Sequence, residues 1–215
     1  MIVLALASAS PRRKELLRLT GWNVEARPTE VEERQEPGEA PEMMTQRLAV
    51  AKARTADGEL MLGADTVVVQ DDQVLGKPAD AAEARRMLEM LRGRRHRVVS
   101  SIALVDAEGR TLATDTCVSD VPMRDYAEGE LEIYLSSGSP LDKAGAYGIQ
   151  DGGFQPVSMD EMRDCFANVM GLPLCHLVRC MRRLGHEPAA DVPAACRAHT
   201  GYDCRVFAAI LSGEL

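Results

Sequence analysis

Ser8, Ser10, Arg12 and Arg13 crowd into the run LASASPRRKELL. They follow a short apolar stretch, residues 2–6, of the kind that forms a buried strand, and Pro11 stands where a first helical turn accepts it. A helix N-terminus presents N–H groups with partial positive charge, serine hydroxyls can donate beside them, and guanidinium forks grip phosphate oxygens in pairs. The spacing therefore suits a phosphate; a capped helix whose arginines face water is the plainer reading of the same residues. Neither glycine-rich phosphate signature, GxxxxGK[ST] or GxGxxG, occurs in the chain.

A carboxylate, Asp65, stands in GADT at the end of a strand-like run, beside residues small enough to let a ligand approach. Such a group holds a divalent ion or activates water, although Asp is also common at turns. Lys77 in GKP and Lys143 in LDKAGAYGIQ each sit in a loop stiffened by Pro or Gly. Three cationic, glycine-bearing loops and one carboxylate loop in an acidic chain point to a polyanionic ligand with an acid at its centre.

The elements that position these groups follow from pattern. A helix is expected over 11–19 with Leu16, Leu17 and Leu19 inward and Gly21 as its stop, and a strand from Val24. An acidic loop over 28–41 leads to a helix ending near 57 with Met44, Leu48 and Ala51 inward. Residues 60–70 are β-branched and strand-like, interrupted by the polar GADT. Asp80 and Glu83 make a capping box for a helix to about 91. Strands over 98–105 and 111–121 form an antiparallel hairpin across 106–110. A helix over 128–135, a Gly- and Ser-rich loop over 136–153, a helix from Pro173 to about 184 and a loop or tail through 187–198 complete the chain. The expectation is an α/β fold with a mixed twisted sheet flanked by helices.

Composition narrows the function. The chain has 215 residues, 46% hydrophobic and 27% charged, enough to bury a core without staples. A net charge of -8 is the wrong sign for coating nucleic acid or an anionic membrane, and 4% aromatics is a poor supply of base-stacking platforms. No run approaches a membrane span and no secretory leader is apparent, so the expectation is a cytoplasmic protein. Six cysteines contain no CxxC pair, and zinc spacings are missing even where thiols and histidines gather near the end.

Taken together, LASASPRRKELL, VEER, RLAVAKA, LGADTVVV, LGKP, LDKAGAYGIQ and GLPL run in an order that resembles the Maf family of nucleoside triphosphate pyrophosphatases. The resemblance implies an inosine triphosphatase-like fold with a central cleft over residues 1–184, and leaves 185–215 as a cysteine-containing extension of unassigned role. It implies metal-dependent hydrolysis of a nucleoside triphosphate to the monophosphate and pyrophosphate, with Mg or Mn, in nucleotide-pool house-cleaning, and a homodimer. Asp65 matches the general-base position and Glu33 its acidic companion, the two holding the metal. Ser8, Ser10, Arg12, Arg13, Lys52, Lys77 and Lys143 match positions around the substrate, and Thr66 with Gln150 matches the branch that prefers dTTP and UTP. The Gln amide can meet the uracil or thymine edge, whereas cytosine presents the reverse pattern. Modified nucleotides as substrates, or a nucleotide-binding role in cell division and septum formation, are the alternatives. Ser100 and Ser101 replace a usual Thr-Gly pair, and residues 154–175 depart from the family's shorter segment.

Overall fold

The computed structural model describes residues 2–214. Strands β1 (Val3–Leu6), β2 (Asn23–Ala26), β3 (Leu60–Gln70), β4 (Gln73–Leu75), β5 (Arg95–Asp106) and β6 (Thr111–Pro122) build one sheet of order β2-β1-β3-β5-β6, with β4 attached to β3. β1 lies parallel to β2 and β3, while β3, β5 and β6 run antiparallel. Helices α1 (Pro11–Arg18), α2 (Pro41–Arg54), α3 (Ala81–Leu91), α4 (Glu128–Ser136), α5 (Phe166–Val169), α6 (Leu174–Arg183), α7 (Val192–Thr200) and α8 (Phe207–Ser212) flank it. The mixed α/β architecture is the one expected from the sequence.

β3 organises the rest. On one edge it pairs with β5 from Leu60 to Val69. On the other, β1 takes Leu60 to Leu62 and β4 takes Val68 to Gln70, so residues 63–67 have no strand partner there. The sheet opens at that point, and GADT lies inside the opening. This corrects the reading of Asp65 as a strand-end or turn residue: the strand runs straight through GADT, and the polar pair sits at its middle.

Because side chains alternate along a strand, alternate residues of GADT serve opposite faces. Met61, Val67 and Val69 pack on the α2 side, with Ala49, Ala53, Met44 and Leu48. Leu60, Leu62, Ala64 and Val68 pack on the other, in the main core with Leu16 and Leu17 of α1, Leu88 and Leu91 of α3 and Leu177 of α6. Small residues in the first layer bring α2 close. A Cβ on Gly63 would lie 1.9 Å from the Ala49 carbonyl oxygen and 2.7 Å from the Ala53 nitrogen, so helix and strand meet backbone to backbone. The buried stripe of α2 is Met44, Thr45, Leu48, Ala49, Lys52 and Ala53, at helical spacing. Ala51, expected inward, is only partly buried; Lys52 takes the inner position one residue on.

Other local expectations hold with adjustments. Asp80 caps α3 by accepting from the Glu83 N–H at 2.7 Å, but the Glu83 carboxylate accepts from Ala79 and not from Asp80. Pro173 precedes the first helical residue of α6 instead of being it. The Ser136 to Gly153 loop carries two short 3-10 turns, Ser139–Asp142 and Ala144–Ala146. The stretch read as a loop or tail is helical from Val192 onward: Asp191 caps α7 by accepting from Ala194 N–H at 3.1 Å. Val192 and Ile210 anchor the C-terminal helices in the core, and Arg179 of α6 donates to the Ile210 carbonyl at 2.8 Å. Proline and alanine hid that helix from a compositional reading, since Pro193 is tolerated in a first turn. Among the described residues no helix is long and apolar enough to cross a membrane.

The backbone approach at Gly63 generates the first prediction. Gly63→Ala forces α2 away from β3, and overpacking of this kind costs about 1–3 kcal/mol, more where backbone atoms collide. The urea midpoint should fall by an amount equivalent to at least about 2 kcal/mol with an unchanged slope. A midpoint matching the parent protein would show that helix and strand are not in contact there.

Candidate active site

The opening in the sheet leads into a cavity of about 840 Å³. Ser8, Ser10, Arg12, Arg13, Glu33, Lys52, Asp65, Thr66, Lys77, Lys143 and Gln150 all line it. β1 delivers the serines and the start of α1, β3 delivers Asp65 and Thr66, α2 delivers Lys52, and the loops after β2, β4 and α4 close the sides.

At its floor, the Lys52 ammonium donates to Glu33 Oε1 at 2.5 Å and to Asp65 Oδ1 at 2.6 Å. Lys52 and Asp65 side chains are 8% and 5% exposed, whereas Glu33, on the loop before α2, is 45% exposed. Burial opposes ionisation of Glu33, but the Lys52 hydrogen bond and the charges of Lys52, Lys77 and Arg13 outweigh it, so the carboxyl titrates below its ordinary range. One ammonium thus bridges two carboxylates in a half-dry cleft.

On the opposite face of β3, Arg13 is clamped. Its Nε donates to the Gly171 carbonyl at 2.9 Å, Nη1 to Ser8 Oγ at 3.3 Å and Nη2 to Thr66 Oγ1 at 3.2 Å. Burial pulls this guanidinium down from its usual range, against Asp65 and Glu33, which pull it up. Three of its five N–H groups are spent on the clamp, leaving two for a ligand. Ser10 caps α1 by accepting from Arg13 N–H at 3.4 Å, and Ser8 accepts from Ser10 N–H at 3.2 Å. Ser100 touches Thr66 Oγ1 at 2.9 Å, so the Thr66 hydroxyl is held between Arg13 and Ser100.

The remaining cations differ in how free they are. Lys77 is exposed and makes no ion pair among the described residues, although its charge reaches Glu33. Arg12 spans the mouth, donating to Asp142 Oδ2 at 2.8 Å and to the Asp142 carbonyl at 3.1 Å. Lys143 is buried, and its ammonium is occupied: it donates to the Ser139 carbonyl at 2.6 Å, Ser139 Oγ at 2.9 Å and Asp142 Oδ1 at 2.7 Å, with Asp151 Oδ2 at 3.5 Å. Gln150 Nε2 donates to Asp151 Oδ1 at 3.1 Å, and Gln150 Oε1 is buried without a donor. Gly145, at φ 67°, brings this loop against β3 and donates its N–H to the Gly76 carbonyl at 3.0 Å, joining the Lys143 loop to the Lys77 loop.

Asp142, Asp151 and Gly171 are site residues that the sequence reading did not single out. Asp142 and Asp151 adjoin Lys143 and Gln150, but nothing in the linear order says that both carboxylates gather around one ammonium. A second cavity of about 830 Å³ lies behind Gln150 and Met170, walled by Phe166, His199 and Tyr202. The C-terminal region thus borders the back of the Gln150 loop.

A divalent ion of the magnesium type takes one or two carboxylates and fills its shell with substrate phosphate oxygens and water. Glu33 and Asp65, both within reach of one ammonium, fit that donor set. Among the described residues no group of three or more His, Cys, Asp or Glu side chains stands together for a metal, and all six cysteines are free thiols.

A mixed α/β sheet opened at one strand, with an ion-held carboxylate pair inside and guanidinium groups around it, defines an anion-receiving cleft of the hydrolase type. Residues 3–184 match the Maf-like protein family, and the chain belongs to that family. A dTTP/UTP pyrophosphatase of Citrifermentans bemidjiense is 41% identical over 186 residues, covering 85% of this chain and 95% of that protein. Proteins of the same name from Dehalococcoides mccartyi and Anaeromyxobacter dehalogenans are 42% and 44% identical, with 85% of this chain covered in each case and 83% and 94% of theirs. Among solved structures, a nucleoside-triphosphatase / dITP/XTP pyrophosphatase from Mycobacterium abscessus has a TM-score of 0.40 at 19% identity, covering 73% of this chain and 82% of that one. The Staphylococcus aureus Ham1 protein has 0.42 at 15%, covering 59% and 75%.

Lys52→Met tests the carboxylate clamp. Removing the cation leaves a buried charge uncompensated, which typically costs about 3–5 kcal/mol at neutral pH. The Glu33 carboxyl loses the partner that depresses it, so its titration moves upward. A depressed carboxyl stabilises the fold above its ordinary range, and that stabilisation is lost as pH falls through the lowered value; without the depression there is less to lose, so the acid-side fall in stability should be shallower in the variant. Urea denaturation across pH 3–7, a range of about four units around the carboxylate pKa values, reads this directly. An unchanged acid limb would show that Lys52 does not set the Glu33 charge.

Proposed function

We infer that the chain hydrolyses nucleoside triphosphates between the α and β phosphates, with dTTP and UTP preferred, releasing the monophosphate and pyrophosphate. The observation that carries the reading is the Lys52-bridged pair of Glu33 and Asp65 inside a cleft edged by Arg12, Arg13 and Lys77. Membership of the Maf-like family and the dTTP/UTP pyrophosphatase activity for which its relatives are named support it.

In the proposed reaction Asp65 accepts a proton from the water that attacks the α phosphorus in line with the departing oxygen. The bond to the β-phosphate oxygen breaks and pyrophosphate leaves. Glu33 and Asp65 would hold Mg or Mn, which when bound neutralises phosphate oxygens and makes water more acidic. Arg13, pre-oriented by Gly171, Ser8 and Thr66, spends little ordering entropy when it meets the phosphates. Lys77 and Arg12 add charge toward the leaving group, with Ser8 and Ser10 donating at the α1 start. Lys143 acts through the loop it holds, and Gln150, with Thr66 on the strand below, addresses the base. Residues 1–184 are proposed as the catalytic unit and 185–215 as an extension. A cytoplasmic setting, a homodimer and nucleotide-pool house-cleaning belong to the same proposal.

Incubation of the purified chain with Mg²⁺ and a panel of common and modified nucleoside triphosphates, with pyrophosphate and phosphate measured separately, tests the bond cleaved. Pyrophosphate with monophosphate is expected; release of phosphate and a diphosphate would refute the reading. Asp65→Asn should lower kcat by about 10²-fold or more while the fold survives, because an amide of the same shape cannot take the proton. Near-parental turnover in that variant would remove Asp65 from the role. For base preference, UTP and dTTP should exceed CTP, ATP and GTP in kcat/KM; equal values for UTP and CTP would sink the specificity while leaving the hydrolysis intact.

A further inference from the structure

We propose that Asp151 is a specificity-positioning residue: it fixes which way round the Gln150 amide stands, committing its carbonyl oxygen to a base edge that offers a ring N–H. The inference rests on the reading above in which Gln150 addresses the base.

A glutamine amide is ambidextrous. It carries two donors on nitrogen and an acceptor oxygen, and a half-turn about its last bond exchanges them. Alone, such a side chain can meet a uracil-type edge or a cytosine-type edge by flipping. Gln150 is not alone: its Nε2 donates to Asp151 Oδ1 at 3.1 Å. A carboxylate only accepts, so the flipped amide would set oxygen against oxygen. The nitrogen, with one N–H given to Asp151 and one still free, is therefore held on that side, and the oxygen keeps the other arm of the amide. That oxygen is buried with no donor, an arrangement that a ligand N–H would relieve.

Asp151 is itself braced. Its Oδ2 accepts from the Tyr134 hydroxyl at 2.6 Å and from Ser139 Oγ at 3.1 Å, with the Lys143 ammonium 3.5 Å away. Tyr134 is buried against Phe154 with ring centroids 4.3 Å apart, and its oxygen accepts from Gly148 N–H at 3.2 Å. Held from the far side, the carboxylate cannot swing away to release Gln150. Uracil and thymine carry an imide N–H at the position where cytosine carries a ring-nitrogen acceptor. A committed carbonyl accepts from the first and repels the second, so the braced carboxylate turns an indifferent amide into a discriminating one.

The test is kcat/KM for UTP and CTP in the parent protein, Asp151→Asn, Gln150→Ala and the double variant, with thermal melting alongside. Asp151→Asn keeps shape but can offer Gln150 either oxygen or N–H. The UTP:CTP ratio should fall about tenfold, chiefly through a lower KM for CTP, and the double variant should match Gln150→Ala alone. A ratio unchanged by Asp151→Asn but collapsed by Gln150→Ala overturns the proposal, since Gln150 would then discriminate unaided. A ratio unchanged by Gln150→Ala strikes the base-reading role itself, and the positioning role falls with it. Should Asp151→Asn fail to fold, Tyr134→Phe, which loosens the carboxylate from its far side, should lower the ratio about threefold; a folded Tyr134→Phe with the parental ratio overturns the proposal.

Discussion

The short contacts from the Lys52 ammonium to Glu33 and Asp65 are the constraint on which the site depends, and they exist only because a helix and a strand touch through their backbones. A lysine on the inner stripe of α2 would ordinarily disrupt a core. Here the glycine at position 63 and the alanines around it let α2 settle low enough for the ammonium to reach a carboxylate in the middle of a strand. Each charge makes the others tolerable: the lysine compensates two acids, and the acids compensate a lysine that is nearly buried. The packing of small residues and the electrostatics of the floor are one feature seen at two scales.

β3 contributes a second economy. Consecutive residues on a strand face opposite ways, so one dipeptide serves two functional walls: Asp65 looks to α2 and its lysine, Thr66 to α1 and Arg13. A strand buried on both edges could not do this, because its neighbours would seal the cleft. The parting of β1 and β4 leaves room for one cavity to reach both faces. The loop wall is organised differently, around Lys143, whose ammonium joins Asp142, the Arg12 partner, to the neighbourhood of Asp151, the Gln150 partner. The two ends of a nucleotide cleft are thereby mechanically linked through one buried cation.

Much of this was legible in the sequence because the signals are local. Period-2 and 3.6-residue patterns, Pro11 and Asp80 placed β1, α1, α3 and the β5–β6 hairpin within a few residues. The ordered motifs named the residues of the expected site, and all of them line the cavity at the sheet opening. What escaped has a common cause. GADT looked like a break because polarity was weighed as a turn signal, when the missing strand partner beside it is what makes polarity acceptable there. The roles of Asp142, Asp151 and Gly171 depend on contacts 130, 17 and 158 residues apart, beyond what any local pattern encodes. The helix α7 was hidden by a proline whose effect depends on which turn it occupies.

The bare stretch of β3 has a consequence for motion. Its β5 edge is held by a continuous ladder, so the strand that carries Asp65 and Thr66 is among the last parts of the chain to move, while residues 63–67 on the other edge are secured by no sheet neighbour. Breathing that admits a ligand is therefore assigned to the walls, and the floor stays still. Backbone amides turned to the bare side trade protons with solvent according to what fills the cleft, and those turned to β5 according to the stability of the whole domain. One short run of peptide thus carries two clocks, and deuterium uptake along it would separate occupancy from unfolding without any added probe.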